Sequence, residues 1–153
     1  MEAIAWILII GAGLWFFAQI RRGYRGEDRP SGESRRSSGA YAVEVVGESN
    51  YQRALEQICG GRSRDGVEKY VTAVLVLEDT NPYDENAVRV DISGSTVGYL
   101  SRHAAKAYRK QQATRATSSQ SIECPALIRG GWDRGRNDKG HFGVRLDLQQ
   151  GDL

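Results

Sequence analysis

The chain has 153 residues, 40% of them hydrophobic, with 21 Lys plus Arg against 19 Asp plus Glu and two cysteines. Cys59 and Cys124 form no CxxC or metal-ligand spacing, and His103 and His141 stand apart from any cysteine or carboxylate cluster, which argues against a metal centre. With no Gly-rich loop ending in Lys-Ser or Lys-Thr and no assembled nucleophile, base and orienting acid, the composition reads as a binding module with no cofactor, and not as an enzyme.

The first element is an apolar run, Ala3 to Ile20, broken only by Gln19. Its 18 residues reach the short end of the transmembrane range. Arg21, Arg22 and Arg25 follow it, so positive charge stays in the cytoplasm and the expected topology is N-terminus out, C-terminal domain in. A cleaved signal peptide would want a basic start and a small-x-small site, and the run has neither; it reads as an uncleaved anchor in an inner, cytoplasmic membrane. Trp6, Trp15, Phe16 and Phe17 suit either interfacial or helix-packing positions.

Residues Arg21 to Ala40 read as a basic, flexible linker, rich in Arg, Gly and Ser, with little to bury. Six arginines against three acids give it a net +3, which obeys the topology rule and also attracts anionic lipid at roughly 1 kcal/mol per charge. Tyr41 to Leu153 is then a single domain.

Within that domain, Tyr41 to Gly47 alternates as a strand. Asn50 is expected to cap a short helix carrying Tyr51, Leu55 and Ile58 at helical spacing and ended by Gly60-Gly61. Tyr70 to Glu78 reads as an apolar strand. The run Asn81-Pro82-Tyr83-Asp84-Glu85-Asn86 follows, a polar loop stiffened by Pro82 and by Asx-type bonding from Asp84 and Asn86. In the next strand Val88, Val90 and Ile92 face one way and Ala87, Arg89 and Asp91 the other. Ser93-Gly94-Ser95 turns the chain into Thr96 to Leu100, completing a hairpin.

Ser101 is placed to cap a helix, Arg102 to Gln112, with Ala104, Ala105 and Tyr108 on its buried stripe and Arg102, Lys106, Arg109 and Lys110 mainly towards solvent. Gln111 to Gln120 reads as a polar connector. Ile122 to Trp132 and His141 to Leu148 are expected to pair around a long turn, Asp133 to Gly140; Trp132 and Phe142 suit either base stacking or barrel closure.

The order Val46-Gly47, Tyr51, NPYDENAVRV, Val97-Gly98-Tyr99-Leu100-Ser101 and an Ala-rich helix resembles the HIRAN domain over about residues 43 to 148. That domain occurs in the helicase-like transcription factor and related DNA-repair translocases, and alone in many bacterial proteins. The resemblance implies a mainly β fold, a small OB-like barrel with two short helices, that binds single-stranded DNA at its 3′-hydroxyl end. It implies a nucleic-acid-binding set of Tyr51, Asn81, Tyr83, Asp84, Asn86, Tyr99, Arg102 and Lys106. Tyr51 would stack on a terminal base, Asp84 would accept a hydrogen bond from a sugar hydroxyl, and Arg102 would hold a phosphate. Where DNA-end binders of the family carry Arg-Tyr-Tyr, this chain reads Ser49-Asn50-Tyr51, and Tyr99 replaces a position that is often His.

Each of these residues also has a plainer use. Asn81, Asp84 and Asn86 suit the building of a turn, Tyr83 and Tyr99 the core or rim of a barrel, and Arg102 a solvated helix face. The charge is uneven: Tyr41 to Ser101 holds 5 bases and 10 acids, Arg102 to Lys139 holds 9 bases and 3 acids. The basic half would supply the attraction for a strand. Two functions remain open: a membrane-tethered binder of single-stranded DNA ends, with any helicase or nuclease supplied in trans, and a membrane-anchored protein-interaction scaffold that has lost the DNA pocket.

Overall fold

The computed structural model describes residues 38–114, 121–149 and 153. The expected anchor Ala3 to Ile20, most of the linker, and residues 115–120 of the connector lie outside the described residues, among which no helix is long and apolar enough to cross a membrane.

Six strands close into a barrel in the order β1-β4-β3-β2-β5-β6, every pair antiparallel. They are β1 (Val43–Val46), β2 (Val67–Leu77), β3 (Val88–Ile92), β4 (Ser95–Leu100), β5 (Ser121–Gly130) and β6 (Phe142–Leu146), with helices α1 (Gln52–Cys59) and α2 (Arg102–Thr114). The protein is thus mainly β with two short helices. Strand alternation supplies the interior: Val88, Val90 and Ile92 are fully buried, while Arg89 and Asp91 face outward, as the period of two requires. Leu55 from α1 and Ala105 and Tyr108 from α2 join the same core, and full burial of a side chain such as Leu55 stabilises by roughly 1.5–3 kcal/mol.

The hairpin turns on two residues rather than three. Ile92 pairs directly with Ser95, and Ser93 and Gly94 both take positive φ, 51° and 76°. Two successive left-handed residues match the right-handed twist of the flanking strands. Ser101 caps α2 as its type suggests, accepting the Ala104 N–H at 3.2 Å, and the helix runs two residues beyond Gln112 into the expected connector. Asn50 is not a cap: Gly47, at φ 83°, opens a 3-10 turn over Glu48–Tyr51, and α1 begins after Tyr51 with no side-chain cap. β2 starts at Val67, ahead of Tyr70, because its polar first residues pair with β5, Glu68 opposite Arg129 and Lys69 opposite Ile128.

Barrel closure depends on β1 being shared. Its first half pairs with β6 through Val43 and Glu44, and its second half with β4 through Val45 and Val46. The start of β6, paired with β5 on one side, therefore lacks a strand on its β1 side, and a side chain takes that place. Gln52 Nε2 donates to the Phe142 carbonyl at 2.9 Å, and Gln52 Oε1 accepts the Phe142 N–H at 2.8 Å. The primary amide of one helix residue thus completes a ladder. Gln52→Ala would strand both groups and is expected to lower stability by about 1–3 kcal/mol, read as a lower urea midpoint with unchanged slope. Gln52→Glu, which keeps only the accepting half, is expected to recover part of that loss.

Phe142 itself is 2% exposed, so of the two uses open to it barrel closure is the one it has; it offers no face for a base to stack on. The last linker residues are tied down: Ser38 Oγ and the Gly39 N–H, at 2.8 Å, both donate to the carboxylate of buried Asp147.

Candidate nucleic-acid interface

The long connection from β2 to β3 carries the Asn-Pro-Tyr-Asp segment, and its backbone closes on itself. Glu78 N–H donates to the Ala87 carbonyl at 3.1 Å, Asn81 N–H to Glu78 at 3.3 Å and Ala87 N–H to Asp84 at 3.0 Å. Side chains complete it. Asn81 Oδ1 accepts the N–H groups of Tyr83 at 2.9 Å and Asp84 at 3.2 Å, and Asp84 Oδ1 accepts that of Asn86 at 2.9 Å. The Asx-type bonding expected from Asp84 and Asn86 is made by Asn81 and Asp84. Asn81 and Asp84 therefore do build the turn, and the outcome of that building is Tyr83, thrust out to 88% exposure. Neither core nor rim, Tyr83 is a bare aromatic ring on a stiff support.

Beside the loop, pairing across four strands lines up one residue from each: Val46 opposite Tyr99, Tyr99 opposite Arg89, Arg89 opposite Val76. All four lie on the outer face, since their neighbours Val45, Leu100, Val88, Val90 and Leu75 are buried. Val46 is an exposed apolar residue at 43%. The 3-10 turn after β1 brings Tyr51 to the same place, where its hydroxyl neighbours that of Tyr99. Two aromatic residues and an apolar neighbour thus share this patch, fed by three separate parts of the chain.

Burial, and then the neighbouring Tyr51 hydroxyl, push the Tyr99 phenol up to about 12. The neutral hydroxyl is the form the fold favours, so its contribution is complete below the unfolded value of about 10 and is lost as pH rises through the folded value. An ultraviolet phenolate titration is expected to show Tyr99 ionising late, together with buried Tyr108. Tyr51→Phe is expected to lower the Tyr99 value in part, burial keeping it raised; an unchanged Tyr99 titration would remove the hydroxyl pair.

From Arg89, which the register sets opposite Tyr99, hydrogen bonds run to the loop. Arg89 donates to Glu78 at 2.7 Å, Asn81 Nδ2 donates to the other Glu78 oxygen at 2.8 Å, and Arg102 lies 3.9 Å from Asp84. That last pair is long, and the Arg102 side chain is 86% exposed, so it contributes at most about 1 kcal/mol and leaves both groups open to a ligand. Lys106 stands one helical turn further along α2, exposed and without an ion pair among the described residues. Arg109 is turned inward, to Asp79 at 2.7 Å and the Ala87 carbonyl at 3.0 Å, which pins the loop to α2.

The fold therefore gathers Tyr51, Asn81, Asp84, Tyr99 and Arg102 into one connected surface with Tyr83 and Asn86 on its loop. Lys106 lies on the adjoining helix, outside direct contact. Reasoning from sequence passed over Glu78 and Arg89, which join the two halves; the outward phase of β3 was the available signal for Arg89. Away from this surface, Trp132 is half-buried, with its indole N–H on Asp138 at 2.9 Å. Cys59 and Cys124 are free thiols, and burial pushes Cys124 up to about 12, which makes it unreactive. Among the described residues no three His, Cys, Asp or Glu side chains cluster as a metal site. In comparisons with known proteins, no family model, no curated protein and no solved structure matches the chain.

Proposed function

We propose that this protein is a membrane-tethered binder of single-stranded DNA, taking the 3′-hydroxyl end of the strand through a HIRAN-like site on an OB-like barrel. The observation that carries the reading is one run of neighbours: the Tyr51–Tyr99 pair, Arg89 opposite Tyr99 in the strand register, then hydrogen bonds through Glu78 and Asn81 to Asp84, with Arg102 beside it. It combines what an end-binding site needs. Aromatic faces at Tyr51, Tyr99 and Tyr83 stack on bases of any sequence. Asp84 keeps one carboxylate oxygen for a hydroxyl donor, which a phosphorylated end lacks. Arg102 and Lys106 offer cations on one helix that carries no acidic residue. The apolar run Ala3 to Ile20 holds the domain at the inner face of a bacterial membrane, where DNA repair supplies free ends and a helicase or nuclease acts in trans.

A salt titration separates the roles. Arg102→Gln and Lys106→Gln are each expected to reduce the slope of log affinity against log salt by about 0.7, one phosphate apiece. Slopes that do not move in either variant would take the helix out of the site. One observation favours the other reading, a protein-interaction scaffold. Glu78 and Asp91 together over-neutralise Arg89, so the middle of the row is slightly acidic. Under that reading oligonucleotides do not bind even at low salt, and crosslinking at the membrane recovers a protein partner.

A further inference from the structure

Arg89 stands at the middle of the row, yet its chemistry is already spent inside the protein. A guanidinium offers donors in a fixed planar fork. Here Nε and one terminal nitrogen grip Asp91 at 2.9 and 3.0 Å, while the other terminal nitrogen reaches Glu78 at 2.7 Å. Thr96 Oγ1 donates to Asp91 at 3.0 Å and holds that carboxylate from β4. The carboxylate side chains are only 19% and 18% exposed, so these charge-assisted bonds are sheltered from water. One cation between two carboxylates has nothing to offer a phosphate.

What Arg89 holds leads instead to the loop. It fixes Glu78, Glu78 holds Asn81 Nδ2 at 2.8 Å, and Asn81 Oδ1 holds the N–H groups of Tyr83 and Asp84. On its other side Arg89 lies opposite Tyr99 in the strand register. We infer that Arg89 is the positioning residue of the site, a rigid strand group that sets the Tyr83–Asp84 loop against the tyrosine pair through Glu78 and Asn81. This role deepens the strand-binding reading and rests on it. Affinity then has two separable sources: a salt-sensitive one on α2, and a salt-insensitive one in which the loop is ordered before the ligand arrives.

Arg89→Gln removes both fork and charge. Glu78→Gln keeps an acceptor for Arg89 but turns an amide towards Asn81 Nδ2, cutting the relay beyond the strand; it serves if Arg89→Gln does not fold. Both are made in the full chain, held in mild detergent. Two quantities are read: amide hydrogen exchange at Tyr83, Asp84 and Asn86, and binding of a short single-stranded oligodeoxynucleotide across a salt series. The expected result is exchange at least about tenfold faster in the loop, with Val90 and Val97 still protected, and binding about tenfold weaker with its salt slope unchanged. Unchanged loop exchange in both variants would overturn the inference. So would a slope reduced by about 0.7 in Arg89→Gln, which would make Arg89 a phosphate ligand. Faster exchange spread over the whole barrel in both variants would overturn it as well, leaving Arg89 a general structural residue. If the unaltered protein binds no strand, the functional reading fails, and loop exchange alone still decides whether Arg89 positions the loop.

Discussion

Gly98→Ala is expected to destabilise the protein by about 3 kcal/mol or more, from overpacking and backbone strain acting together. Gly98 lies in β4 where the second half of β1 crosses onto it, with φ at 153°. A Cβ there would stand 2.5 Å from Val45 Cγ1 and 2.6 Å from the Val46 carbonyl oxygen. The valine methyl can yield, but the carbonyl is backbone, and β1 reaches β4 through only two residue pairs. Relief therefore means pushing β1 away and opening the barrel at its seam. That seam also supports Val46, Tyr99 and the turn leading to Tyr51, so the substitution should cost the binding surface along with stability. Urea unfolding measures the first effect. A variant as stable as the parent would show that closure does not depend on this approach.

Tyr51→Ala is expected to weaken binding of a short single strand by roughly 10- to 100-fold, the equivalent of losing a stacked base worth about 1–3 kcal/mol. The loss should leave the salt slope where it was, because a tyrosine neutralises no phosphate. Tyr51 is half-buried at the end of the 3-10 turn, so unfolding midpoints are compared in parallel to separate a lost ring from a lost fold. Tyr51→Phe keeps the ring while giving up the hydroxyl beside Tyr99, and should bind nearly as well as the parent if stacking is the main contribution. Equal binding by Tyr51→Ala would remove this ring from the site.

The parts of the fold that could be read from sequence are those whose causes are local. The hairpin from Val88 to Leu100, the Ser101 cap and the Ala104, Ala105 and Tyr108 stripe each follow from a turn, a cap or a period contained in a few neighbouring residues. The stiffness of the Asn81 to Asn86 loop belongs with them: Asp84 bonds the backbone as expected, and Asn81 takes the part expected of Asn86. What escaped is non-local. Gln52 bonds a strand 90 residues away, and nothing around it marks a glutamine that stands in for a strand. The division of β1 between two neighbours depends on how the last strand arrives, which no alternation pattern encodes. Asn50 had the residue type of a cap, but Gly47 had already set the left-handed entry that produced a 3-10 turn instead. In the site itself, residue types pointed to the loop and the tyrosines. Arg89 was legible only as one more outward side chain, because its importance lies in two partners that pairing across strands brings to it.

The full chain, kept soluble in mild detergent, titrated with short single-stranded DNA ending in either a 3′-hydroxyl or a 3′-phosphate and followed by fluorescence anisotropy at two salt concentrations, tests the account most directly. Tighter binding to the hydroxyl end, lost in folded Asp84→Ala and Tyr83→Ala variants, is the predicted result. Equal, salt-sensitive binding to both ends would keep the strand and discard end capture; no binding to either strand at low salt would contradict the account.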